Sequence, residues 1–140
     1  MPSDRNPKSG RRILLADDDE VVQEVVKVVA ERLGHSIIQA TTGAAALALA
    51  VSAEPDLIVL DMAFPDADGR DVLGKLKSDR RTSHIPVVVW SGGREGRESD
   101  SRISLDLGAE DYVNKGDAEL FVRKLERILL RIPRKLDCLG

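Results

Sequence analysis

The feature that most constrains this chain is a rhythm of short, unbroken apolar runs separated by longer stretches of helical period. The runs are Arg12 to Ala16 (RILLA), Ser36 to Ala40, Asp56 to Leu60 (DLIVL), Val87 to Trp90 and Asp111 to Val113. Between the first two, Glu20 to Leu33 places Val22, Val25, Val26, Val29 and Leu33 at the three-and-four spacing of one helix face, and Gly34 stops it. Thr42 to Ala53 is an alanine-rich helix that Thr41 or Thr42 can cap and Pro55 closes off. A third helix opens at Asp68 or Gly69 and runs to about Asp79, with Val72, Leu73 and Leu76 facing inward. Gly92 to Asp100 reads as loop or frayed helix, firming into Ser101 to Leu107 before Gly108. Asp117 caps a last helix with the stripe Phe121, Leu125, Ile128, Leu129 and Ile132, ended by Pro133.

Strands separated by helices need crossover connections, hence a parallel sheet with helices on both faces. Runs that are apolar throughout, rather than alternating, point to strands buried on both sides. The expected fold class is therefore α/β, a five-stranded, doubly wound sheet in the flavodoxin-like order 2-1-3-4-5. In that order the first and third strands are neighbours at the switch point, and ligands bind beyond the carboxyl ends of the strands. At 140 residues the chain fits one domain, read as 12–132, with an N-terminal arm at 1–11 read as disordered and a tail at 133–140. Aromatics make up only 3%, so Val, Leu, Ile and Ala must build the core.

A net charge of -3 argues against a nucleic-acid surface, so no direct DNA binding is expected. Cys138 is the single cysteine and excludes an internal disulfide. No run approaches the roughly 20 apolar residues that cross a bilayer, and the polar start lacks a secretory apolar stretch. The expectation is a cytoplasmic protein without membrane contact.

The polar groups that follow the strands carry the chemistry. The first strand leads into Asp17-Asp18-Asp19-Glu20 and the third ends in Asp61. The fourth ends in Ser91, and the fifth is followed by Asn114-Lys115. Each has a plain alternative: an acidic run can cap a helix, Asp61 with Pro65, Asp66 and Gly69 can be turn chemistry, and Ser91 and Lys115 can be solvated loop residues. Four such coincidences at the carboxyl ends of four strands are less economical than one shared site. Clustered carboxylates repel unless protonated, solvated or bridged by a cation, and an all-oxygen set suits Mg²⁺.

The stretches ILLADDDE, DLIVLDMAFPDADG, HIPVVVWSG and GAEDYVNK, in this order and spacing, resemble the receiver domains of two-component response regulators across Arg12 to Ile132. The resemblance implies that Asp61 accepts a phosphoryl group from a sensor histidine kinase or a histidine phosphotransferase. It implies that Asp17, Asp18, Asp61 and the backbone carbonyl of Ala63 hold Mg²⁺ (or Mn²⁺). Lys115 would pair with the phosphoryl oxygens, Ser91 would hydrogen-bond them, and Tyr112 would follow as an aromatic switch. The change would reach an unknown downstream protein through the fourth helix, fifth strand and fifth helix. A stand-alone, chemotaxis-regulator-like switch is expected, monomeric or weakly dimeric, and no enzyme beyond Mg-dependent self-phosphorylation and slow self-dephosphorylation.

The chain departs from the family pattern in places. Gly116 follows Lys115 where proline is usual, so a trans bond is expected there, since cis costs about 2.5 to 4 kcal/mol without proline. Gly92 and Gly93 free the loop after Ser91. Trp90 reads as a core aromatic and Phe64 as packing. Two other functions are open: a phosphorylation-independent scaffold, and a haloacid-dehalogenase-type phosphohydrolase, which wants a second Asp where Ala63 stands.

Overall fold

The computed structural model describes residues 10–91, 105–114, 123–124, 126–128 and 130. Its element order is β1 (Arg12–Ala16), α1 (Glu20–Arg32), β2 (Ser36–Ala40), α2 (Gly43–Ser52), β3 (Leu57–Asp61), α3 (Gly69–Ser78), β4 (Val87–Ser91) and β5 (Asp111–Asn114). The five strands form one sheet in the order β2-β1-β3-β4-β5, and every neighbouring pair is parallel. This is the architecture that the apolar runs imply.

Because side chains alternate across a strand, the five strands feed two cores. Leu14, Ala16, Ile58, Leu60, Val87 and Val89 face Ala46 and Ala50 of α2 and Val72, Leu73 and Leu76 of α3. Ile13, Leu15, Leu57, Val59, Val88, Trp90 and Val113 face the other way, onto Val26 and Ala30 of α1 and onto Ile128. Trp90 is thus a core aromatic, and the half-buried Phe64 packs against the first core. The edge strand β2 is only partly buried except at Ala40.

The strands carrying polar termini run one residue beyond their apolar runs. Asp61 pairs with Trp90, and Ser91 with Asn114. A parallel ladder is made by backbone groups, so it continues wherever two chains stay side by side, whatever the side chain. The placement of α1 corrects the valine stripe expected from spacing. Val25 is 53% and Leu33 38% exposed, while Gln23, Val26 and Ala30 are buried. Valines lie on both sides of this helix, so spacing alone could not choose the inward one; the small Ala30 marks it. Leu33 instead caps the helix, and Gly34 takes a positive φ of 89°.

Of the expected fourth helix, Leu105 and Asp106 are helical, and Gly108 follows with φ 106°. The arm at 1–9, the loop from Gly92 to Asp100, and Lys115, Gly116, Asp117, Phe121, Leu125, Leu129 and Ile132 lie outside the described residues. No cis peptide bond occurs among the described residues.

Candidate functional site

The carboxyl ends of β1 and β3 bring three carboxylates together. Asp17, Asp18 and Asp61 each offer an oxygen, and these oxygens all lie within 4.8 Å of one another. Asp17 is fully buried and Asp61 6% exposed, whereas Asp18 is open to solvent. The acidic run after β1 therefore divides by role. Asp19 is a helix cap: its carboxylate accepts from the backbone N–H of Val21 at 2.9 Å and of Val22 at 3.3 Å. Asp17 and Asp18 belong to the cluster instead. Oδ1 of Asp17 accepts from the N–H of Asp19 at 2.8 Å, which fixes the turn between them.

The loop after Asp61 folds back tightly. Gly69 N–H donates to Met62 O at 2.9 Å, Phe64 N–H to Ala67 O at 3.1 Å, and Ala63 bridges Asp68. A Cβ on Gly69 would collide with the carbonyl oxygen of Asp61 and the Cα of Met62, so glycine here is a requirement of close approach. Asp68 caps α3, accepting from Arg70 N–H at 2.8 Å, and pairs with the Arg70 guanidinium at 2.9 Å. Those bonds, the side-chain one foremost, hold its carboxyl below the ordinary carboxylate range.

Asp66 reaches across to the start of α2. It accepts from Gly43 N–H at 2.8 Å and Ala44 N–H at 3.1 Å, and these amides lower its pKa. Thr42 supplies the local cap, taking Ala45 N–H at 3.1 Å. The loop following β3 is thereby tied to α2. Spacing gave no signal for this clamp, because it links residues 23 positions apart. Sequence reasoning also passed over Gln23, a buried polar side chain inside an apolar helix face.

Tyr112 pairs with Val89 in the ladder and packs half-buried against the first core. Its hydroxyl is buried with no hydrogen-bond partner among the described residues. Ser91 stands at the end of β4, beside β3, while the side chain of Ser91 and all of Lys115 lie outside the described residues. Ala63 is exposed, two residues past Asp61.

Three carboxylate oxygens gathered within this radius form a concentrated patch of negative charge that favours a cation. The donor set is all oxygen and open on one side through Asp18, which fits a small hard cation that keeps some of its water. No helix among the described residues is long and apolar enough to cross a membrane.

Comparison with known proteins agrees with this geometry. The response regulator receiver domain model matches residues 13–126, and the chain belongs to that family, a signalling module rather than a turnover enzyme. It is 37% identical over 124 residues to the DNA-binding dual master transcriptional regulator RpaA of Synechocystis, covering 88% of this chain and 51% of RpaA. The chain spans about half the length of the curated relatives it matches. Among solved structures it is similar to the Mn(2+)-bound form of response regulator Rcp1, with a TM-score of 0.74 and 28% identity over 88% of this chain and 99% of that one. It is likewise similar to the phosphorylated cyanobacterial phytochrome response regulator RcpA, at TM-score 0.74 and 27% identity over 88% and 96% of the two chains.

Proposed function

We propose that this chain is a phosphorylation-dependent signalling switch in which Asp61 accepts a phosphoryl group from a sensor histidine kinase or a histidine phosphotransferase. The observation that carries this reading is the convergence of Asp17, Asp18 and Asp61 at the ends of β1 and β3. Asp17, Asp18, Asp61 and the Ala63 carbonyl are the groups that hold Mg²⁺ or Mn²⁺. The bound ion supplies charge neutralisation for an incoming phosphoryl group. The Mn²⁺-bound relative supports the choice of a hard divalent cation.

In the transfer, a carboxylate oxygen of Asp61 forms a bond to phosphorus as the bond from phosphorus to the donor histidine nitrogen breaks, and the nitrogen keeps the electron pair. A carboxylate is a weak nucleophile, so catalysis is mostly positioning and neutralisation of charge. Lys115 and the Ser91 hydroxyl are the groups assigned to meet the new negative charge. Tyr112 is the group assigned to transmit it, since its buried hydroxyl, with no hydrogen-bond partner among the described residues, gains by moving to one. The change then reaches a downstream protein through the region of Leu105 to Asp106, β5 and the helical residues 123–124 and 126–128, in a cytoplasmic setting and without DNA contact by this domain.

Helix α1 supports docking of a helical donor. Val21, Val25 and Val28 are 72%, 53% and 45% exposed and lie on one face, beginning beside Asp18. Such a stripe suits the apolar face of a partner helix.

The test is intact-mass measurement after incubation with acetyl phosphate and Mg²⁺. Wild type gains one phosphoryl group, and Asp61→Asn gains none while keeping its fold, because an amide of nearly equal volume cannot serve as the nucleophile. Phosphorylation of the Asn variant at the wild-type rate would remove Asp61 from the role, and an inert wild type would favour a scaffold.

A further inference from the structure

Gln23 is 5% exposed and sits on the inward face of α1 between Val22, Val26 and Ala30, where an apolar side chain would be expected. Its amide does two things at once. Nε2 donates to the carbonyl oxygen of Asp17 at 2.5 Å and to that of Ala40 at 3.1 Å. The same Ala40 oxygen accepts the N–H of Asp17 at 3.0 Å.

The reason for a polar group lies in the ladder. Ala16 and Ala40 form the last β1–β2 pair, after which β2 turns toward α2. The next carbonyl on β1, that of Asp17, has left the paired region and still points at the buried edge, so it needs a donor from elsewhere. Gln23 is one turn into the helix that Asp19 caps, and its own N–H returns to Asp19 O at 3.1 Å. Asp17 is thus held at its N–H by Ala40, at its carbonyl by Gln23 and at its carboxylate by Asp19. Asp18 lies between two residues whose positions are fixed.

We infer that Gln23 is a positioning residue for the divalent-cation site: its amide locks the end of β1 to the end of β2 and so sets the spacing of Asp17 and Asp18 against Asp61. The inference rests on the cation reading of the acidic cluster given above. Gln23 touches neither the cation nor the acceptor oxygen. It acts through the Asp17 peptide, and it makes the affinity of the site depend on a side chain in the core.

The test compares wild type with Gln23→Met, which keeps the length and loses both donors, and Gln23→Asn, which keeps the amide one methylene short. Mg²⁺ affinity is measured by isothermal titration calorimetry, and the phosphorylation rate from acetyl phosphate is followed across a range of Mg²⁺ concentrations. The expected result is Mg²⁺ binding about tenfold weaker in Gln23→Met, the lower end of what removal of an outer-sphere partner does. Gln23→Asn falls between it and wild type. The rate at saturating Mg²⁺ returns toward the wild-type value in both, since the nucleophile is untouched. Unchanged Mg²⁺ affinity in Gln23→Met, with only a lower melting temperature, would reduce Gln23 to a packing role and overturn the inference. Should that variant not fold, wild-type affinity in Gln23→Asn does the same. A wild type that binds no Mg²⁺ overturns the cation reading itself, which separates the two failures.

Discussion

Replacing Gly69 with alanine sets two known effects against each other, and the structure decides between them. Gly69 is the first residue of α3, and glycine in a helix is ordinarily worse than alanine by roughly 0.5 to 1 kcal/mol. Against that gain stands a collision of the new Cβ with the Asp61 carbonyl oxygen and with Met62, all backbone atoms that cannot rotate away. Overpacking of this kind destabilises by about 1 to 3 kcal/mol. Gly74, in the same helix, provides the control, because a Cβ there meets nothing within 4 Å. Gly74→Ala should therefore stabilise by about 0.5 to 1 kcal/mol. For a domain this size each kcal/mol moves the melting temperature by about 4 °C. Gly74→Ala should then melt about 2 to 4 °C higher, and Gly69→Ala, whose collision is partly offset by the helix gain, up to about 10 °C lower. Urea unfolding with a shared m-value gives the free energies directly. Because the collision falls on the peptide of Asp61, the proposed acceptor, Gly69→Ala should also slow phosphorylation, by about tenfold, within the range that small misplacements produce. Two alanine variants shifting in the same direction by the same amount would show that the close approach at Gly69 is not there.

Mg²⁺ at about 100 times its dissociation constant should stabilise the protein by about 2.7 kcal/mol, and Asp18→Ala should remove most of that gain, read by melting with and without the ion. His35 gives a pH dependence with a definite sign. Burial first, and the Arg11 charge second, lower its pKa, with Asp56 opposing, while its Nδ1 accepts the Arg11 N–H at 3.1 Å. The fold therefore prefers neutral His35. Its contribution is fully present above the unfolded-state value near 6.5 and is lost as the pH falls from there through the lower folded-state value. His35→Gln should flatten the stability profile in that window, and an unchanged slope would remove His35 as its source. Substituting Ala63 with Lys or Asn, or Gly93 with Glu, should alter decay of the phosphoprotein more than its formation, because these positions flank the approach of water; altered uptake with unchanged decay would count against this.

The sheet was legible because each strand's apolar run is continuous, which only burial on both faces demands. The acidic cluster was legible because the strand order puts the ends of β1 and β3 side by side. What spacing could not give was the rotation of α1, whose valines satisfy a helical stripe on either side, nor the split of Asp17-Asp18-Asp19 into two cluster members and one cap. The Asp66 clamp and the Gln23 amide were illegible for a different reason. Each satisfies backbone groups left over where strands and helices end, and those orphans exist only once the chain is folded.

The register places the single tryptophan, Trp90, directly beside Asp61, while the single tyrosine, Tyr112, sits on β5 next to Val89. The two rings look into opposite layers, Trp90 toward α1 and Tyr112 toward α2 and α3. The molecule therefore carries a separate chromophore on each side of its sheet. Excitation at the red edge of the near-ultraviolet band, where only the indole absorbs, reports the layer facing α1 without any label.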